Sequence, residues 1–292
     1  MNNQAVARRT APAPTPPARK AVQSAKQQSQ SRFAHELNAV VTVAARDILI
    51  AVKSPGMLIF SLLMPLVMMG MLGGSLGQNM AGGLGFEYSP FMMVGMVVTV
   101  LVMTTTMGIT SLIQDRSEDF TQEMMIAPIS RYSIVLGKIV GASVTALFQL
   151  IIVIIMSLVM GIGFTGSQLL ALLAVAPLIC LSAGAVGMLI VGFVKNPRMA
   201  NIITMIVVMP QMFLSGAIIP IANSTGILFI LSRIMPMTYC IDLTRALFYA
   251  GTPEYAQVVL FNPVINGIAI VALTIAFLVT GTWFFARSET NK

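Results

Sequence analysis

The sequence predicts an all-α polytopic membrane protein with six transmembrane helices. The chain has 292 residues, of which 57% are hydrophobic and only 9% are charged, whereas soluble domains carry about 25% charged residues. About 20 apolar helical residues cross a hydrocarbon layer roughly 30 Å thick. Five stretches without any Asp, Glu, Lys or Arg are each long enough for at least one crossing: 54–86, 88–114, 139–194, 199–232 and 255–286.

The longest of these stretches, residues 139–194, must contain two crossings, because a single helix of that length would extend roughly 84 Å. Glycines at positions 161, 163 and 166 divide it. A short loop with Glu87 separates the first two crossings, and a basic turn at 195–198 precedes the fifth. The predicted crossings are residues 57–77, 90–113, 134–160, 168–194, 199–219 and 262–286.

The N-terminal region is expected to contain two parts that do not cross the membrane. Residues 1–32 are rich in proline, glutamine and basic residues and contain no acid, so we expect a disordered basic tail. Residues 33–55 have apolar side chains at helical spacing, interrupted by charges, and end at Ser54-Pro55. This pattern predicts an amphipathic helix lying along the membrane interface. An ordinary core helix of a soluble domain is the alternative.

The distribution of basic residues predicts which side of the membrane each loop faces. All but Arg233 and Arg245 of the 17 Lys and Arg residues fall in segments that six crossings place on one side. The positive-inside rule then assigns that side to the cytoplasm. We therefore expect a multi-pass plasma-membrane protein whose N-terminus and C-terminal residues 288–292 are both cytoplasmic.

The segment 220–261 does not fit a simple crossing. Its two apolar pieces, 226–235 and 239–249, are each about half a membrane long as helices. These two pieces also contain three charges that lipid does not tolerate, Arg233, Asp242 and Arg245. A re-entrant helical hairpin between the fifth and sixth crossings is the simplest interpretation, with Asp242 and Arg245 able to pair on one helix face. A helical hairpin on the outer surface is the alternative.

The same region contains a sequence motif of a known family. Its elements are Phe213-Leu-Ser215-Gly216, then Pro220, then Pro236-Met-Thr-Tyr239, then Asp242 and Arg245. This run resembles the C-terminal motif of ABC-2 type (type V exporter) ABC transporter permeases, with the daunorubicin and multidrug-resistance branch as the nearest match. A proline that such permeases often have between Pro220 and Pro236 is absent. The resemblance covers residues 33–287 and implies one transmembrane domain over 56–287.

The resemblance also implies a contact with an ATPase subunit. The charged segment 114–131 corresponds to the coupling helix of such permeases, and its mixture of acids and apolar residues suits docking on a soluble partner. A solvated loop is the alternative. The candidate coupling residues are Asp115, Arg116, Glu118, Asp119, Phe120, Glu123 and Met124, with Arg46 and Asp47 of the interfacial helix as further candidates.

The sequence contains none of the usual features that would let the chain drive transport by itself. It has no phosphate-binding G-x-x-x-x-G-K-[ST] motif, and no ionisable residue lies at the centre of a predicted crossing, where ion-coupled carriers commonly place carboxylates. The isolated Cys180, Cys240 and His35 offer no metal site. We therefore expect no catalytic residue, no bound cofactor, and ATP with Mg held by two copies of a separate ATPase subunit.

Methionine and uncharged polar residues mark a candidate substrate path. Unbranched thioethers can repack around apolar guests of different shapes, and in the resembling family the second and fifth crossings line a cavity between two permease subunits. Routine helix packing is the alternative. The candidate residues are Met96, Met103, Thr104, Met107, Asn201, Met205, Met209, Gln211 and Met212.

These expectations describe the membrane subunit of an ATP-driven exporter for a hydrophobic or amphipathic, drug-like small molecule. The second permease subunit would be a copy of this chain or a different chain, and the other partner is the lipid bilayer. The basic residues lie in loops rather than on one folded face, which argues against nucleic acid. Alternative functions are export of polysaccharide or lipid-linked cargo, an ion-gradient-coupled carrier, and an intramembrane enzyme.

Overall fold

The computed structural model describes residues 18–53, 86–117, 131–222 and 224–290, together with separate positions between 56 and 71. All regular structure within these residues is helical. The helices with both ends in these ranges are α1 (Ala18–Lys53), α2 (Tyr88–Thr110), α3 (Leu112–Ser117), α4 (Arg131–Val159), α5 (Gly166–Phe193), α6 (Pro197–Leu214), α7 (Gly226–Ile234), α8 (Pro236–Phe248), α9 (Tyr255–Val258) and α10 (Pro263–Thr290).

Five helical segments of the described chain are long and apolar enough to cross a membrane, or up to six if the bent pair α7–α8 counts as one span. The expected all-helical class with several crossings is therefore confirmed. The predicted first crossing, 57–77, lies mostly outside the described residues. The five segments are Tyr88–Asp115, Ser133–Val159, Gly166–Phe193, Pro197–Leu214 and Tyr255–Phe285.

Helix α1 begins upstream of the predicted interfacial helix. It starts at Ala18, so residues 18–32, which we expected to be disordered, are helical in the structure. The physical reason lies in the local composition: these residues are mostly Ala, Lys, Arg and Gln, which are good helix formers, and no proline follows Pro17 until Pro55. Residues 1–17 lie outside the described range.

Helix α1 packs closely on α4. Val43 and Ala44 are buried there, opposite two glycines of α4: a Cβ on Gly137 would lie 2.8 Å from the Cβ of Val43, and one on Gly141 would lie 3.1 Å from the Cα of Ala44. These distances show that the small residues allow the two backbones to approach. A second apolar face of α1 remains exposed at Leu37, Val41, Leu49, Ile50 and Val52.

Helix α2 is the central helix of the described fold. Most of its side chains are buried, from Phe91 to Thr110, and it packs against α4, α5, α6 and α8. At Gly95 the helix meets the backbone of Ala217, which follows α6, so closely that no Cβ could be accommodated there. Tyr88, in the first turn, donates a hydrogen bond of 2.9 Å to the carbonyl of Ile218.

The segment between α6 and α10 contains two helices with different environments. Helices α7 and α8 meet at an angle of 82° around Met235. Only Ser232 is buried on α7, whereas α8 is buried along nearly its whole length. Pro236 begins α8 at a position where its missing N–H costs no hydrogen bond. The re-entrant hairpin therefore stays a prediction, with α8 enclosed by protein and α7 exposed.

Candidate functional site

The first cluster of charged residues lies where α1, α3 and α4 meet, and we call it the inner cluster: Arg46, Asp47, Asp115 and Lys138. The carboxylate of Asp115 lies 3.0 Å from Nη2 of Arg46 and 2.6 Å from Nζ of Lys138. Lys138 also lies 3.1 Å from the carboxylate of Asp47. Two cations and two anions thus neutralise one another across three helices.

Burial makes the inner cluster energetically significant. The side chain of Lys138 is only 4% exposed, and those of Asp47 and Asp115 are 13% and 15% exposed. Removing one partner from such a buried pair leaves an uncompensated charge. Burial raises the pKa of the Asp47 carboxyl, and the neighbouring ammonium of Lys138 opposes that change.

Two hydroxyl groups extend the inner cluster. Lys138 donates a hydrogen bond of 3.1 Å to Oγ of Ser111, the residue at the turn between α2 and α3. Near the start of α4, Ser133 donates to the carboxylate of Glu36 on α1. Polar contacts therefore join α1 to α4 at two points along the helices. The hydrogen bond from Lys138 to Ser111 also attaches the end of α2 to α4.

The structure brings together three of the predicted coupling residues, Arg46, Asp47 and Asp115, and it places Arg116 on α3. Sequence reasoning missed Lys138. A single lysine near the start of an otherwise apolar helix was the available signal, because such a cation needs a carboxylate partner. The predicted coupling residues Glu118, Asp119, Phe120, Glu123 and Met124 lie outside the described residues.

A second group of polar residues, which we call the outer cluster, surrounds Arg245 and Asp242 of α8. The guanidinium of Arg245 donates to the carbonyl of Gly216 at 2.8 Å and to that of Phe91 at 3.3 Å. Its central carbon also lies 3.5 Å from the centroid of the Phe91 ring. Arg245 therefore binds α2 and the chain that leaves α6.

Asp242 binds a different part of the fold. Its carboxylate accepts hydrogen bonds from the backbone N–H groups of Leu260 and Phe261, at 2.7 and 2.8 Å, and from the side-chain amide of Asn266 at 2.8 Å. These residues form the entry to α10. The expected ion pair between Asp242 and Arg245 is therefore not formed: each charge contacts separate polar groups, because the two side chains reach different neighbours of α8.

The remaining residues of the family motif lie around α8. Ser215 closes α6 by donating to the carbonyl of Gln211. Gly216 has a φ of +83°, a conformation that side chains rarely adopt, and this turn presents its carbonyl to Arg245. Pro220 lies half-buried in the connection to α7. Tyr239 donates a hydrogen bond of 2.7 Å to the carbonyl of Arg233 across the bend from α7.

The predicted substrate path divides into buried and exposed residues. Met96 is fully buried inside the fold, so it does not lie on an exposed surface of this subunit. Thr104 is half-buried and donates a hydrogen bond to Oε1 of Gln149. Gln211 is buried on α6. Met103, Met107 and Met212 are half-buried, whereas Asn201, Met205 and Met209 are exposed along one helix, α6.

The chain is similar over half or more of its length to several bacterial proteins. It is 29% identical over 159 residues to "Probable multidrug ABC transporter permease YbhR" of Escherichia coli (strain K12), covering 52% of this chain and 43% of that protein. It is 24% identical over 156 residues to "Inner membrane transport permease YhhJ" of the same organism, covering 53% and 41%. It is 25% identical over 191 residues to "Nodulation protein J" of Rhizobium meliloti (strain 1021), covering 65% and 72%.

The matched part spans less than half of the length of the first two relatives. The strongest assignment comes from the family comparison, in which residues 38–249 match the family described as ABC-2 type transporter. That range includes the three residues of the inner cluster on α1 and α3, Lys138 on α4, and both charges of α8. The chain belongs to the ABC-2 type transporter family of multi-pass membrane permeases.

Proposed function

We propose that this chain is the membrane subunit of an ATP-driven exporter, in which two permease subunits work with two ATPase subunits. ABC-2 permeases are the membrane components of ABC transporters. One observation carries the mechanism: helix α2 connects the two polar clusters. Asp115 follows its C-terminal end, and Phe91 near its N-terminal end contacts Arg245. The distance from Phe91 to Asp115 along a continuous helix would be roughly 36 Å.

In this proposal the inner cluster receives the movement of the ATPase subunits. Residues 118–130 follow α3 directly, so a force on that segment acts on Asp115. Arg46 of α1 and Lys138 of α4 hold Asp115 by ion pairs of 3.0 and 2.6 Å. The buried pairs make the ends of α1, α2 and α4 move together rather than separately. The N-terminus, the inner cluster and the C-terminus all lie on the cytoplasmic side, as the distribution of basic residues favours.

The outer cluster is proposed to convert this movement into opening of the exit. Arg245 ties α8 to α2 and to the turn after α6, and Asp242 ties α8 to the start of α10. A displacement of α2 would therefore move α8, and with it the turn after α6 and the start of α10. Helix α8 and the turn at Gly216 would form the part of the gate that opens outward.

The cargo is proposed to be a hydrophobic or amphipathic small molecule of the drug type. The name of one relative, which describes a multidrug permease, supports this class, and the exposed side of α6 fits it. Met205, Met209 and Phe213 present flexible or aromatic apolar groups on that side, with Asn201 as a polar group near the predicted inner end. Such a surface adapts to guests of varied shape.

Charge reversal in the predicted coupling segment tests the proposal. We expect replacement of Glu118, Asp119 and Glu123 by Lys to reduce substrate-stimulated ATP hydrolysis at least tenfold, or about 1.4 kcal/mol, because like charges would then face the basic surface of the ATPase. The measurement is ATP turnover of the complex reconstituted in lipid. Glu87→Lys, an exposed acid at the opposite end of α2, serves as the control. Unchanged turnover in the triple variant would remove the coupling assignment.

A further inference from the structure

Helix α7 exposes apolar side chains around most of its surface. Ile227 is 76% exposed and Ile234 is 62% exposed, and Leu228, Phe229 and Ile230 are also exposed. Exposure of such an apolar patch is unfavourable in water but favourable against the acyl chains of a membrane. The re-entrant hairpin predicted from the sequence would place this helix against lipid, and the inference below rests on that position and on the proposed function as a membrane transporter.

Arg233 is the only charged residue of this helix, and several aromatic side chains hold it in place. Its guanidinium carbon lies 4.2 Å from the centroid of the Phe229 ring and 4.6 Å from that of Phe261. The ring of Tyr239 stacks on Phe261 with centroids 5.7 Å apart, and its hydroxyl binds the carbonyl of Arg233. Both the backbone and the guanidinium of Arg233 are therefore fixed, although the residue is exposed.

The geometry of this group leaves hydrogen-bond donors for another molecule. Aromatic rings contact the face of a guanidinium, whereas its five N–H groups point outward in its plane and suit a bidentate oxyanion. Among the described residues, Arg233 forms no ion pair within 4.0 Å. The charge of Arg233 is thus presented at the edge of an apolar surface.

We propose that Arg233, supported by Phe229, Phe261 and Tyr239, binds the phosphate group of a membrane phospholipid. An apolar helix with one fixed arginine near its end matches the chemistry of such a lipid, because the acyl chains cover the isoleucines and the phosphate reaches the guanidinium. The bound lipid would hold α7 at the level of the headgroups beside α8. This assigns α7 a lipid-binding role that is separate from the coupling of ATP hydrolysis.

Native mass spectrometry of the full chain in detergent, titrated with phosphatidylglycerol, tests the site. We expect Arg233→Gln to weaken lipid binding about tenfold, because a charge-assisted bidentate contact is lost. Arg233→Lys, which keeps the charge but not the planar fork, should give an intermediate loss, and Phe261→Leu should also weaken binding. Arg198→Gln is the control, since it removes an exposed arginine at the start of α6. Inorganic phosphate should not displace the lipid.

Three results would overturn this proposal. The first is an Arg233→Gln variant that binds phosphatidylglycerol as tightly as the unaltered chain. The second is complete displacement by inorganic phosphate, which would indicate a simple anion site. The third is loss of dimers in the spectra of Arg233→Gln with unchanged lipid binding, which would make α7 an interface between two copies. Because no nucleotide or cargo is involved, the outcome is independent of whether the chain proves to be an exporter.

Discussion

Asp242 and Arg245 show how two charges can be buried within three residues of each other without forming an ion pair. Arg245 is 2% exposed and Asp242 is 1% exposed. The carboxylate accepts hydrogen bonds from two backbone N–H groups and one amide, and the guanidinium donates to two carbonyls and lies over an aromatic ring. Each charge stabilises a different contact of α8, so each should be required on its own.

The double variant that exchanges the two charges, Asp242→Arg with Arg245→Asp, should not recover the stability of the unaltered protein. Its Tm should be at least as low as that of a variant in which only one of the two charges is removed. Asp242→Asn and Arg245→Gln should each lower the Tm in detergent by roughly 5–15 °C, because each leaves buried polar groups of its neighbours unpaired. Thermal unfolding followed by fluorescence provides the measurement. Recovery of the original Tm in the exchanged variant would show instead that the two residues act as an ion pair.

At the scale of the helices, small residues decide how closely neighbouring elements pack. Gly95 of α2 touches the backbone after α6, and Gly281 of α10 lies against α5, where a Cβ would be 2.7 Å from the carbonyl oxygen of Met188. Transmembrane helices commonly use such residues to bring backbones together. Side-chain size at these positions therefore limits the packing of α2 and α10.

Gly95→Ala should destabilise the fold, although alanine is the better helix former. The added methyl group would collide with the backbone of Ala217, and overpacking of this kind costs about 1–3 kcal/mol. Gly267→Ala is the matched control, because nothing lies within 4 Å of a Cβ added there and α10 is also helical at that position. Equal melting temperatures for the two variants would contradict the close contact between α2 and the chain after α6.

The sequence predicted the helices better than it predicted their contacts. Apolar length is a local property, so charge-free stretches were enough to locate the spans that contain α2, α4, α5, α6 and α10. The partners of individual charges depend on which helices become neighbours, and for this reason Lys138 and Asn266 were missed. Methionine content could not distinguish the buried Met96 from the exposed Met205, since either environment suits a thioether.

At the scale of the whole molecule, the proposed exporter depends on one continuous connection. Buried ion pairs join α1, α3 and α4 beyond one end of α2, and Arg245 joins α8 to its other end. The crossings predicted from the sequence have no charge at their centres, whereas ion-coupled carriers commonly place carboxylates there. In the proposed exporter, energy therefore reaches the exit through the movement of helices that an external ATPase drives.

Transport into lipid vesicles, with and without the ATPase subunit, tests this claim most directly. We expect accumulation of a fluorescent amphipathic cargo only when the permease, its ATPase and ATP are all present, and we expect an uncoupler of ion gradients to have no effect. Omission of the ATPase, or its replacement by a variant unable to hydrolyse ATP, should abolish the signal. Accumulation by the permease alone, driven by an ion gradient, would contradict the account.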